Sequence, residues 1–114
     1  MTTMSLFPGL PEPPEWWVYY ATDGHDIKIG RTCDFSRRGG ELMLIYLLKF
    51  RGGGFEERRH QKMWAAYRIS GTEWFRPADE LLLWITMLLE PRSPELAVLQ
   101  SIIKAANARR RDAA

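Results

Sequence analysis

Apolar and polar residues alternate in two short stretches, Trp16–Ala21 and Asp26–Arg31, on either side of Asp23-Gly24. Alternation of period two around an Asp-Gly pair predicts a β-hairpin. With Asp23-Gly24 as the turn, Tyr19 pairs with Lys28 and Tyr20 with Ile27. Val18, Tyr20, Ile27 and Ile29 then share an apolar, core-facing side, and Trp17, Tyr19, Lys28 and Gly30 share the other. Leu44–Phe50 reads as a third strand, stopped by the glycines after Arg51; the alternative is that it continues the helix before it.

Elsewhere the spacing becomes helical. Asp34 is a good N-cap for a helix over 35–43, which Gly39-Gly40 weakens by about 1 kcal/mol per glycine relative to alanine. A second helix is predicted over Phe55–Ile69, with Glu56, His60, Met63, Trp64 and Tyr67 on one stripe whose lower half faces the core. Glu73-Trp-Phe75 is a short extended piece. Asp79 caps a third helix, Glu80–Leu89. A fourth, Glu95–Arg110, turns Leu96, Leu99, Ile102, Ile103 and Ala106 to one side. The fold class expected is α/β (α+β): a small antiparallel three-stranded sheet flanked by helices, with extra helices at the C-terminal end. The organisation is a disordered Pro-rich arm over 1–15, one domain over 16–90, and a C-terminal helix with a basic tail over 91–114.

Composition narrows the classes. The chain has 114 residues, 46% of them hydrophobic and 26% charged, as in an ordinary globular domain. The formal net charge is +2, so an anionic partner must be met by a local patch. The single cysteine, Cys33, allows no internal disulfide, and a reducing, cytoplasmic setting is expected. The longest apolar runs, Leu42–Leu48 and Leu81–Leu89, fall well short of the roughly 18 residues of a membrane span, so no membrane partner is expected. No basic segment precedes the first apolar residues, so no signal peptide is read.

Three groups of residues carry candidate chemistry. An ammonium beside Tyr19 favours its phenolate, which suits a general base; the plainer role of a cross-strand Tyr–Lys pair is to stabilise the sheet. Arg37 and Arg38 stand in the first turns of the first predicted helix, as phosphate ligands or simply as a solvated face. On the second helix Glu56 leans toward the core stripe above His60, with Glu57 about 100° further round and more exposed. One carboxylate with waters and a substrate phosphate is how magnesium is usually held; an ion pair of Glu56 with Arg59 or Lys62 is the alternative. Zinc fits poorly, because His25, His60 and Cys33 lack finger-like spacing.

Taken in order, a VYY strand, a KIG strand, an arginine in the next helix, a Glu-x-x-x-His helix and EWF resemble the GIY-YIG endonuclease superfamily. The likeness is to the phage and bacterial subgroup whose second signature reads KIG, and it spans about residues 16–89. It implies a metal-dependent DNA endonuclease, phage-encoded or bacterial. Tyr19 matches the general base, and Lys28-Ile29-Gly30 the second signature. Arg38 matches the arginine that steadies the scissile phosphate, with Arg37 as its alternate. Glu56 matches the ligand of Mg2+ or Mn2+, and His60 the histidine of the same helix. Trp17 stands where the first signature has glycine, and Lys28 where the namesake has tyrosine. Arg31, Arg37, Arg59 and Lys62 are the cations expected to contact nucleic acid. Lys49, Arg51 and Arg58 are placed to track the backbone with them. The rival expectations are a nucleic-acid-binding module of the same fold without cleavage, and a protein-interaction domain. A protein partner or a homodimer through the C-terminal helix is also expected.

Overall fold

The computed structural model describes residues 14–35 and 43–113. The expected helix over 35–43, with Arg37 and Arg38, lies almost wholly outside the described residues, as does most of the expected N-terminal arm. The end of that arm is anchored, because Glu15 pairs with Arg51.

The described residues form an antiparallel sheet of four strands with helices, an α+β arrangement. The strands are β1 (Trp17–Thr22), β2 (Ile27–Thr32), β3 (Ile45–Arg51) and β4 (Trp74–Phe75), in spatial order β3-β1-β2-β4. The helices are α1 (Gly54–Met63), α2 (Asp79–Leu88) and α3 (Pro94–Ala113). The expected third strand is therefore present, and the sheet has one strand more than expected. The extended piece at Trp74-Phe75 pairs with Ile27 and Lys28 of β2.

The hairpin register is a correction. Tyr19 pairs with Gly30, Tyr20 with Ile29 and Ala21 with Lys28, two residues away from the predicted pairing. Side chains inside the turn are the cause. Asp23 Oδ1 accepts from the backbone N–H of both His25 and Asp26, at 2.9 Å each. Thr22 Oγ1 accepts from Gly24 N–H at 2.9 Å and donates to the Asp26 carbonyl at 2.8 Å. Asp26 is thereby drawn into the turn, and β2 starts at Ile27. A slip of two residues preserves the faces, so Val18, Tyr20, Ile27 and Ile29 still line the core together.

The second predicted helix also ends early. After Met63 the backbone leaves α geometry at Trp64, and Ala65–Tyr67 form one 3-10 turn. The next residues are taken by β4: Ile69 N–H donates to the Trp74 carbonyl at 2.8 Å, and Arg76 N–H to the Tyr67 carbonyl at 2.8 Å. Of the predicted stripe, His60 and Trp64 are buried and Tyr67 is half-buried, but Met63 is exposed. At α2, Ala78 occupies the N-cap and Asp79 is the first helical residue. Asp79 instead binds Arg110 of α3 at 2.6 Å, tying the two helices together.

The core lies on one side of the sheet. Val18, Tyr20, Ile27 and Ile29 meet Trp64, then Leu81, Leu82 and Ile85 of α2, and Leu99 and Ile102 of α3. The predicted α3 stripe is seen, with Leu99, Ile102 and Ala106 buried. A smaller cluster on the opposite side joins Tyr19, Ala21 and Leu44 to Phe35, Tyr46 and Trp74. Among the described residues no helix is long and apolar enough to cross a membrane.

Candidate functional site

Tyr19 belongs to the small cluster, on the sheet side away from the main core. Its side chain is fully buried, edge-on to Tyr46 at 5.1 Å and to Phe35 at 6.2 Å between ring centroids. The ring lies over Gly30. A Cβ at residue 30 would stand 2.6 Å from the Tyr19 hydroxyl oxygen. The space left by Gly30 is therefore filled by the protein's own phenol, not held open for a ligand.

Lys28 shares that side but does not face Tyr19. Its cross-strand partner is Ala21, and its ammonium lies 3.9 Å from Glu73 and 5.9 Å from the Trp74 ring centre. The lysine directly opposite Tyr19 is Lys49 of β3. Lys49 Nζ sits 5.3 Å from the Trp17 ring and 5.5 Å from the Phe35 ring. The sequence carried a hint of this, because Lys49 and Arg51 are two apart and share a face. Choosing between Lys28 and Lys49 requires the register of β1 against both neighbours.

The carboxylates gather where α1 begins. Gly52 N–H donates to the Trp16 carbonyl at 3.0 Å, which fixes the start of α1 beside the first residues of β1. Gly52 has φ +151°, and a Cβ there would come 2.5 Å from Glu56 Cγ, so glycine suits both the backbone and the contact. Glu56 turns back over the helix start, and its Oε2 accepts the Gly53 N–H at 2.8 Å. That is half of a capping box, since a glycine cap returns no side-chain bond. Backbone hydrogen bonds from its own N–H and from Gly53 hold the Glu56 carboxyl below the usual range, and Arg59 and Arg58 add to this. Glu56 is thus ionised and half-buried. Glu57, expected to be the more exposed of the two, has a side chain only 14% accessible, and its Oε1 lies 3.8 Å from Arg31 Nε. Among the described residues no three His, Cys, Asp or Glu side chains are grouped around a common point.

His60 is on the other side of the sheet from Tyr19. Its Nδ1 lies 2.7 Å from the Tyr20 hydroxyl, which also accepts the Trp64 indole N–H at 3.1 Å. The indole only donates, so the phenol oxygen accepts from it while also pairing with the imidazole through Nδ1. Burial lowers the His60 pKa, Arg59 lowers it further, and burial raises that of Tyr20. His60 stacks on Phe50 at 5.0 Å and borders Trp84 at 6.3 Å. The structure therefore brings His60 together with Tyr20 and Trp64, and not with Tyr19. Arg59 and Lys62 are exposed on α1.

This buried imidazole makes stability depend on pH. The unfolded chain takes up a proton near pH 6.5, whereas the folded chain resists it. The contribution is fully present above pH 6.5 and declines as the pH falls below that value toward the lower folded pKa. Urea midpoints followed by tryptophan fluorescence are expected to fall through this window. His60→Gln is expected to flatten that slope, and an unchanged slope would assign it to other groups.

No family model, curated protein or solved structure matches the chain.

Proposed function

We propose that the protein hydrolyses phosphodiester bonds in DNA with a divalent metal, as its likeness to GIY-YIG endonucleases implies. The observation that supports this best is the sheet end at which α1 starts. There an ionised Glu56, the Arg31–Glu57 pair and the exposed Arg51 gather beside the first residues of β1, two residues before Tyr19.

The residues fit the metal that this reading implies. A magnesium or manganese ion asks the protein for one or two carboxylates and takes its other ligands from water and phosphate. Glu56 offers an ionised oxygen while its other oxygen stays on the Gly53 N–H, and Glu57 is the adjacent reserve. When bound, the ion supplies Lewis-acid stabilisation of phosphate charge. Tyr19 takes a proton from the attacking water, and Lys49, directly across from it, steadies the phenolate and the incoming phosphate. Arg38 neutralises the phosphate in flight. His60 acts from the far side of the sheet, as a positioning residue that holds Tyr20 and so the strand carrying Tyr19.

A second reading, DNA binding without cleavage, is favoured by two observations: Tyr19 has no exposed surface, and Glu56 is already committed to its helix cap. Supercoiled plasmid with and without magnesium or manganese separates the two. Glu56→Gln keeps the capping bond and removes the charge. It is expected to melt like wild type and to lose metal-dependent nicking. Glu56→Ala is expected to lose nicking and also to melt below wild type, because the Gly53 N–H loses its carboxylate partner. Undiminished nicking in a Glu56→Gln/Glu57→Gln double variant would remove the metal assignment. Intact plasmid that shifts in a salt-sensitive manner would establish the second reading.

A further inference from the structure

Aromatic rings and cations interleave at the sheet end where α1 begins. Trp17 carries Lys49 at 5.3 Å and Arg51 at 5.6 Å from its ring centre. Trp16, 42% exposed, carries Arg31 at 5.3 Å. Phe55, 67% exposed, follows on the first turn of α1, next to Glu56. Lys49 and Arg51 are both exposed and Trp17 is half-buried. Two of the cations already have a carboxylate, Glu15 for Arg51 and Glu57 for Arg31. Lys49 forms no ion pair among the described residues.

A surface that only tracks a duplex backbone needs cations. It gains nothing from tryptophans held at the surface, because a duplex keeps its base faces stacked on one another. An unpaired base has a bare π face, and each such base stacked on an aromatic side chain adds affinity whatever its identity. A cation beside the ring meets the adjoining phosphate. Trp17 lies two residues, about 7 Å of strand, from Tyr19 on the same side. A nucleic-acid strand stacked on Trp17 therefore runs past the tyrosine.

We infer that the Trp17–Lys49–Arg51 strip binds a single-stranded segment of DNA and delivers it to Tyr19. This deepens the proposed function and rests on its premise that DNA is the substrate. The test is fluorescence anisotropy of a labelled oligothymidine and a labelled hairpin duplex of equal length, at low salt with EDTA so that nothing is cleaved. The oligothymidine is expected to bind more tightly than the duplex. Trp17→Leu and Lys49→Ala are each expected to weaken oligothymidine binding about tenfold, within the range one stacked base contributes. Trp17→Phe is expected to retain most of it. Lys49 is exposed and outside the core, so Lys49→Ala keeps the test decisive should Trp17→Leu fold poorly. Equal affinity for the two forms, with Trp17→Leu without effect and Lys49→Ala weakening both alike, would overturn the single-strand inference. Metal-dependent plasmid nicking by the same protein would still stand in that case. Failure to bind either form at low salt would remove the inference together with its premise.

Discussion

Tyr19→Phe is expected to slow metal-dependent plasmid nicking by about 10²–10⁴-fold, the range that a positioned acid or base contributes. Thermal stability is expected to stay near that of wild type. The ring keeps its edge-on contacts with Tyr46 and Phe35, and only the hydroxyl is lost. This separation of activity from stability distinguishes a chemical role from a packing role. Nicking at the wild-type rate by Tyr19→Phe would remove the tyrosine from the mechanism. Lys49→Ala is the companion measurement in the same assay, since Lys49 is the direct cross-strand neighbour of Tyr19.

Gly30→Ala carries the second large effect, on stability and activity together. The added methyl would stand 2.6 Å from the Tyr19 hydroxyl oxygen and 2.8 Å from Cζ, well inside contact distance. The phenol cannot simply swing away, because it is fully buried with Tyr46 and Phe35 against it. Overpacking of this kind costs about 1–3 kcal/mol. Gly30→Ala is expected to lower the melting temperature accordingly and to lose nicking, because Tyr19 is displaced. In a Tyr19→Leu background the same substitution is expected to cost much less, a coupling that a double-mutant cycle reads directly. An unchanged melting temperature in Gly30→Ala alone would show that the tyrosine ring does not rest on residue 30.

The faces of the hairpin were legible because strand alternation depends only on period. Val18, Tyr20, Ile27 and Ile29 sort to the core under either register. The register itself was not legible. It is set by Asp23 and Thr22 side chains bonding into the turn, which put Gly30 and not Lys28 opposite Tyr19, while the separate pairing with β3 puts Lys49 on its other side. The α3 stripe was readable for the same reason as the faces, because Leu99, Ile102 and Ala106 recur at helical spacing. The end of α1 was not, because it depends on pairing with β4, ten residues further along. The separation of His60 from Tyr19 was also hidden. Helical spacing places Glu56 and His60 on one stripe, but only the tertiary packing shows that His60 reaches Tyr20 through the core side. Helical spacing also left open what Glu56 meets, a metal or Arg59 or Lys62, and the structure shows its Oε2 on the Gly53 N–H.

The strand order has one more consequence, for how molecules of this protein meet each other. An open sheet has two edges, and an unprotected edge recruits strands from neighbouring chains. Here β4, on one edge, has only two residues, too few to template another strand. On the other edge β3 is interrupted by a bulge opposite Tyr20 and Ala21, and it exposes Lys49 and Arg51. Irregular backbone and like charges both oppose edge-to-edge growth. The two cations inferred to hold a nucleic-acid strand therefore also guard against the addition of a protein strand, and removing their charge weakens both safeguards at once.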